Sequence, residues 1–306
     1  MDLSLKLRKL AAFHLARPYI RRELPGWGRL YNNLVGSHQR DADWREEKIR
    51  WISGKLHGYQ MQLDISGWSN RKTFFLGRFY DLPTQLVLQS VLGEGDLFVD
   101  IGANEGMMTL LASRIVGPRG KVIAFEPNPK PRACLEAAIE RNDIANIEVR
   151  PIGLGASDAL LTLSVPKFNS GEGSFGKPAY NEDDLIQIDC PVKTADAELD
   201  GLAPTLIKID VEGFEPYVIE GLKKVMAKVH PPVVMEVVSG HLRNAGGSVD
   251  ALVATMQEAG YRGFQLGTER QGMKHGLALH PVTPSEGFRG DVLWVHQDDR
   301  FAFLPR

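Results

Sequence analysis

From Leu97 onward, apolar runs short enough for strands alternate with stretches of helical period. Leu97, Phe98, Val99 and Ile101 form one such run, which ends at Gly102; the stretch 105–116 that follows is helical in pattern and stops at Gly117-Pro118. The unit recurs as a strand over 121–126 and a helix from Pro129 whose inner stripe is Cys134, Leu135, Ala138 and Ile139. Strands follow over 147–152, over 206–212 with a helix faced by Val218, Leu222, Val225 and Val229, and over 233–238 with a helix over 249–259. A strand near 263–266, a long loop over 267–290 and a final strand over 292–296 end the series. Residues 159–166 and 185–193 alternate apolar and polar, as two more strands about a Gly- and Ser-rich loop over 166–184. Such alternation predicts an α/β fold with a mostly parallel sheet covered on both faces.

Upstream, residues 1–60 have the pattern of helices broken by Pro18 and Pro25-Gly26, and 55–79 that of a small hairpin, in which Tyr59 to Leu63 alternate. Asp81-Leu82-Pro83 starts a helix with Leu86, Val87, Ser90 and Val91 on one face. The chain is expected to divide into an accessory part, 1–80, and a main part, 81–306.

Composition narrows the classes. A 43% hydrophobic chain of 306 residues buries a real core, and a net charge of −2 argues against a surface committed to nucleic acid. Two cysteines, Cys134 and Cys190, suggest neither a disulfide framework nor a thiolate metal cluster, and a reducing, cytoplasmic setting fits. No window approaches a membrane span. The N-terminus is locally basic, with Leu3, Leu7, Leu10 and His14 at helical spacing; packing on the main domain is the plainer expectation, and contact with an anionic membrane surface the other.

The turn after the first strand fails the dinucleotide fingerprint, because Asn104 and Met107 stand where its second and third glycines belong. It still suits a ribose without a pyrophosphate. Glu126, 24 residues after Gly102, stands where an acid accepts from ribose hydroxyls, so Asp100, Gly102, Asn104 and Glu126 describe a nucleoside site suited to S-adenosylmethionine. Taken singly, Asp100 could be a satisfied strand polar group and Glu126 a helix cap. Lys208, Asp210 and Glu212, at i, i+2 and i+4, are expected on one face of a strand, with Lys208 as a structural ion partner and the two acids at the ligand-binding edge. Glu236 ends the next strand in the same layer.

The runs Asp100-Ile-Gly-Ala-Asn-Glu-Gly106, Phe125-Glu126-Pro127, Ile207-Lys-Ile-Asp-Val-Glu-Gly213 with Glu215, and Val234-Met-Glu236 together resemble the FkbM family of S-adenosylmethionine-dependent methyltransferases over roughly residues 75–297. The resemblance implies a Rossmann-like class I methyltransferase fold, with a seven-stranded sheet whose last strand is antiparallel. It also implies O-methylation of a sugar, polysaccharide, lipid or natural product. On those runs the cofactor falls to Asp100, Gly102, Ala103, Asn104, Gly106, Glu126, Pro127 and Asp210. For the hydroxyl proton, Asp210 is the first candidate base, with Glu212 beside it; His241, otherwise an exposed loop histidine, is the second. A divalent cation on Asp210 and Glu236 could serve instead, but the sequence shows no ligand cluster, and no metal is expected. Two other readings stand beside this: a non-catalytic nucleotide-binding module, and an N-methyltransferase. Against the second, Asp210-Val211-Glu212-Gly213 occupies the place where enzymes that methylate nucleic-acid amines carry an Asn/Asp-Pro-Pro-aromatic run. A small-molecule or glycan acceptor, and no nucleic acid, is the expected partner.

Overall fold

The computed structural model describes residues 3–298 apart from 48, 168–170, 178–179 and 273. Its contacts group into two units, Met1–Leu82 with Glu140–Asp143, and Pro83–Ile139 with Ile144–Arg306.

In the first unit, helical segments Leu3–Ala11, Ala12–Ala16 and Arg17–Arg21 follow one another without a gap, so Pro18 does not break them apart. The wide π turn over 12–16 ends two residues before Pro18, where the missing N–H and the ring's clash with the carbonyl four residues back would otherwise interrupt an α-helix. The segments bury Ala12, Ala16 and Ile20, and Phe13 packs edge-on to Trp44 at 5.6 Å and stacks with Phe75 at 5.9 Å. The hairpin is β1 (Arg50–Ser53) against β2 (Gln60–Leu63), and it begins earlier than the glycine pattern suggests. Fully buried Arg71 pairs with Asp41 at 2.7 Å and donates to the carbonyls of Ser66 and Ser37, which satisfies a cation that would otherwise be costly.

The second unit is built on β3 (Leu97–Ile101), β4 (Lys121–Phe125), β5 (Ile147–Arg150), β6 (Gly153–Gly155), β7 (Ala159–Pro166), β8 (Leu185–Thr194), β9 (Leu206–Ile209), β10 (Val233–Val238), β11 (Tyr261–Gln271), β12 (Lys274–Val282) and β13 (Arg289–His296). Eight of these form one sheet in the order β12-β11-β13-β10-β9-β3-β4-β5. From β5 to β10 neighbours are parallel, and β13 runs antiparallel between β10 and β11. This is the Rossmann-like arrangement with an antiparallel last strand, extended by an eighth strand, β12.

That extra strand corrects the long loop expected over 267–290. The alternation there is diluted by glycines, histidines and Pro281, yet β11 and β12 pair from Gly263↔Val282 to Gln271↔Lys274 around Gly272, whose φ of +64° suits the turn. Two further expectations are shortened. Pro151 ends β5, and the chain passes to a separate sheet, β6-β8-β7. The strand expected over 206–212 ends at Ile209, because the amides of Val211 and Gly213 both donate to Glu215 Oε1, at 3.2 and 3.1 Å, and are unavailable to the ladder. Among the described residues no helix is long and apolar enough to cross a membrane.

Candidate active site

The chain leaves β3 toward β4 on one side and reaches β9 on the other, so the C-terminal ends of β3 and β9 flank a switch point where an open α/β sheet binds its ligand. Asp100 and Lys208 are register partners across it. Their side chains meet at 3.3 Å, and Lys208 Nζ also lies 3.4 Å from Asp210 Oδ2 and donates to the Gly102 carbonyl at 3.3 Å. Burial alone would lower the lysine's pKa; the carboxylates of Asp100 and Asp210 outweigh it and hold the ammonium above its ordinary range. Asp100 is fully buried and also accepts from Thr109 Oγ1 at 2.7 Å. Its Oδ1 has the Lys208 ion pair and no hydrogen bond among the described residues, whereas Asp210 stands partly exposed at the edge.

Gly102 makes this edge possible. With φ at +79°, it lies so close to β9 that an added Cβ would sit 1.9 Å from the Asp210 carbonyl oxygen. Gly102→Ala is expected to lower the unfolding free energy by at least about 3 kcal/mol, because the backbone conformation is strained and a backbone oxygen cannot yield. A denaturant midpoint equal to that of the parent would refute the close approach. Gly106, also at positive φ, faces the Leu135 side chain, with an added Cβ 2.3 Å from Leu135 Cδ1, and starts the helix Met107–Val116. Ala103 N–H donates to the Phe125 carbonyl at 3.0 Å, which ties the turn to the end of β4.

At that end the Glu126 carboxylate is nearly buried and accepts from the amides of Asn104 and Asn128, each at 2.8 Å. Burial pushes its pKa up to about 7, against the lowering effect of both amides. Each carboxylate oxygen keeps a lone pair beyond its one amide contact, as recognition of a vicinal diol requires. This is the observation by which the turns fit a nucleoside ligand. Pro127 adds a carbonyl that, with that of Glu126, accepts from Arg132 Nη1 at 3.0 Å, which fixes the start of the helix Pro129–Arg141.

Beyond β9, Glu212 takes a left-handed conformation, φ +53°, and leaves the strand face expected for it. The turn brings Glu212 Oε2 to 2.9 Å from Nδ1 of His241, which lies on the helix Ser239–Asn244 rather than in a loop. Burial raises the Glu212 carboxyl, and the Glu212 carboxylate raises His241, so the pair holds one proton above the usual histidine range. Burial, followed by the charges of Asp210, Glu212 and Asp291, pushes Glu236 up to about 9. Ligand atoms of Glu212, Glu236 and His241 lie within 4.8 Å of one another, a set able to take a cation and spread over three elements.

Ser174 and Phe175 were not legible as site residues. Ser174 Oγ donates to the Glu212 carbonyl at 2.8 Å, and Phe175 packs 5.2 Å from Phe214 in a small apolar cavity that Gly102 and Pro127 also line. The only signal for either was the length and glycine content of their loop.

Residues 100–262 match the model of the methyltransferase FkbM domain. "Methyltransferase 1" of the fungus Beauveria bassiana is 26% identical over 170 residues, 49% of this chain and 65% of its own length. "Hexuronic acid methyltransferase AglP" of Haloferax volcanii is 27% identical over 209 residues, 62% of this chain and 80% of its own. The solved FkbM methyltransferase of Methylobacillus flagellatus KT aligns with 88% of this chain and 60% of its own, at 14% identity and a TM-score of 0.39. Since the family match takes in more than half of the chain and spans both turns of the switch point, this protein belongs to the FkbM methyltransferase family, and its cofactor is S-adenosylmethionine.

Proposed function

We propose that this protein methylates a hydroxyl oxygen on a sugar or similar polyhydroxylated acceptor. The observation that carries this reading is the Glu212–His241 pair beside Asp210. A hydroxyl keeps its proton until attack is under way and needs a base within reach, whereas a neutral amine already offers a lone pair. The Glu212 carboxylate, 2.9 Å from Nδ1, stabilises the imidazolium that forms, and Nε2 is left to take that proton. This favours His241 over Asp210 as the base, since the Asp210 carboxylate already faces the Lys208 ammonium. Glu126 and the turn around Gly102 would hold the cofactor, and Asp210, with Lys208 behind it, would fix the cofactor side of the edge. When bound, S-adenosylmethionine supplies an electrophilic methyl group on a sulfonium. The protein's share is then to align acceptor and donor, accept the proton and exclude water.

The name of the archaeal relative points to sugars, while Asp210 and Asp291, whose charges help to keep Glu236 protonated, favour an acceptor without negative charge of its own. The test is transfer of a carbon-13 methyl from the cofactor into fractionated sugar, lipid and small-molecule extracts, with product NMR. Label on an ether oxygen of a neutral sugar is expected; label on nitrogen overturns the assignment.

A further inference from the structure

The helical run 3–21 carries two apolar stripes. One, with Ala12, Ala16 and Ile20, is buried in the unit's own core. The other points outward: Leu3, Leu7 and Leu10, at i, i+4 and i+7, are 71, 60 and 53% exposed, and Leu15 is 76% exposed. Tyr19 continues the exposed set. These five are more than half of the large apolar side chains that stand exposed among the described residues. Scattered exposed leucines need no explanation, but a row of them along one helix does.

Charge says what covers the row. Residues 1–82 contain fifteen lysines and arginines against eight acids, while the rest of the chain has twenty-one against thirty. Four of those eight acids are held by internal partners: Asp43 by Arg8, Glu47 by Lys9 and Arg50, Glu23 by Lys55 and Arg78, and Asp41 by Arg71. Lys6, Arg22 and Arg29 remain exposed, with no ion pair to a described residue. Two copies of so basic a unit would repel across this face, whereas an anionic surface complements it.

We propose that the outer face of the run 3–21 is a docking surface for an anionic lipid bilayer, independent of which acceptor is methylated. The leucines enter the boundary between headgroups and acyl chains, and Lys6, Arg22 and Arg29 meet the lipid phosphates and carboxylates. Arg8 and Lys9 are turned inward, so the polar side of this helix is what fastens it to the protein.

Full-length protein would be sedimented with vesicles of phosphatidylcholine alone and of phosphatidylcholine with about one third phosphatidylserine. Binding at least about tenfold stronger to the anionic vesicles, and weakening as salt rises, is expected. Leu7→Glu with Leu10→Glu should lower that binding at least about tenfold while thermal unfolding and calorimetric cofactor affinity stay at parent values. Arg22→Glu with Lys6→Glu should remove the preference for phosphatidylserine. Absence of vesicle binding, or equal binding by the leucine variant, overturns the proposal. So does a dimer in light scattering that the leucine substitutions dissociate, since the face would then belong to a second copy.

Discussion

Glu126→Ala is expected to weaken S-adenosylmethionine binding by at least about a hundredfold. A carboxylate that accepts two hydroxyls in a low-dielectric site contributes roughly 1.5–3 kcal/mol per charge-assisted hydrogen bond, so losing both reaches that factor. The same substitution leaves the amides of Asn104 and Asn128 without their acceptor, so stability must be followed beside affinity. Glu126→Gln separates the two effects. Its one carbonyl oxygen can still satisfy one amide while offering a single acceptor, and an intermediate loss of about tenfold is expected. The pH dependence has a definite sign: on the proposed contact the ionised form would accept the diol, and burial puts the pKa at about 7. Cofactor affinity should therefore rise as pH passes upward through about 7 and level off above it. Calorimetry across that range checks this, and unchanged affinity in both variants at parent stability would remove Glu126 from the site.

What the sequence revealed was whatever depends on neighbours along the chain. The apolar run into Gly102 and the acid at the end of β4 are local patterns, and the register of two parallel strands then puts Lys208 beside Asp100. Strand alternation extended past Ile209 misplaces Glu212. The break there is made by Glu215, a buried acid four residues on from Val211, whose carboxylate takes two backbone amides. No period announces such a capture. The strand β12 was hidden by composition, since glycine and proline lower strand propensity while pairing with β11 overrides it. At the N-terminus, periodicity announced an amphipathic helix without saying which stripe faces outward. Only tertiary packing decides that: small Ala12 and Ala16 admit close contact with the aromatic core, and the leucines are left outside.

Glu212→Gln and His241→Ala should separate the base from the carboxylate that stabilises its imidazolium. His241→Ala removes the proton acceptor and is expected to lower kcat by about two to four powers of ten, with little change in cofactor affinity. Glu212→Gln keeps the imidazole and should cost less, about ten- to a hundredfold, but it should also move the pH profile. In the parent the imidazole acts as base only when neutral, and the Glu212 carboxylate, aided by Glu215, raises its pKa above the usual 6.5 against burial and Arg289. Activity therefore falls as pH drops through that raised value. Without the carboxylate the remaining balance is burial and Arg289 against Glu215, and the inflection shifts to lower pH. Asp210 and Glu172, which lie near Glu212, act on the carboxyl itself and stay in place in both variants. A profile unmoved in Glu212→Gln would deny that the pair is coupled. Parent-level turnover in His241→Ala would return the base to Asp210, where Asp210→Asn could then be examined for the same loss, with Lys208 left paired to Asp100 alone.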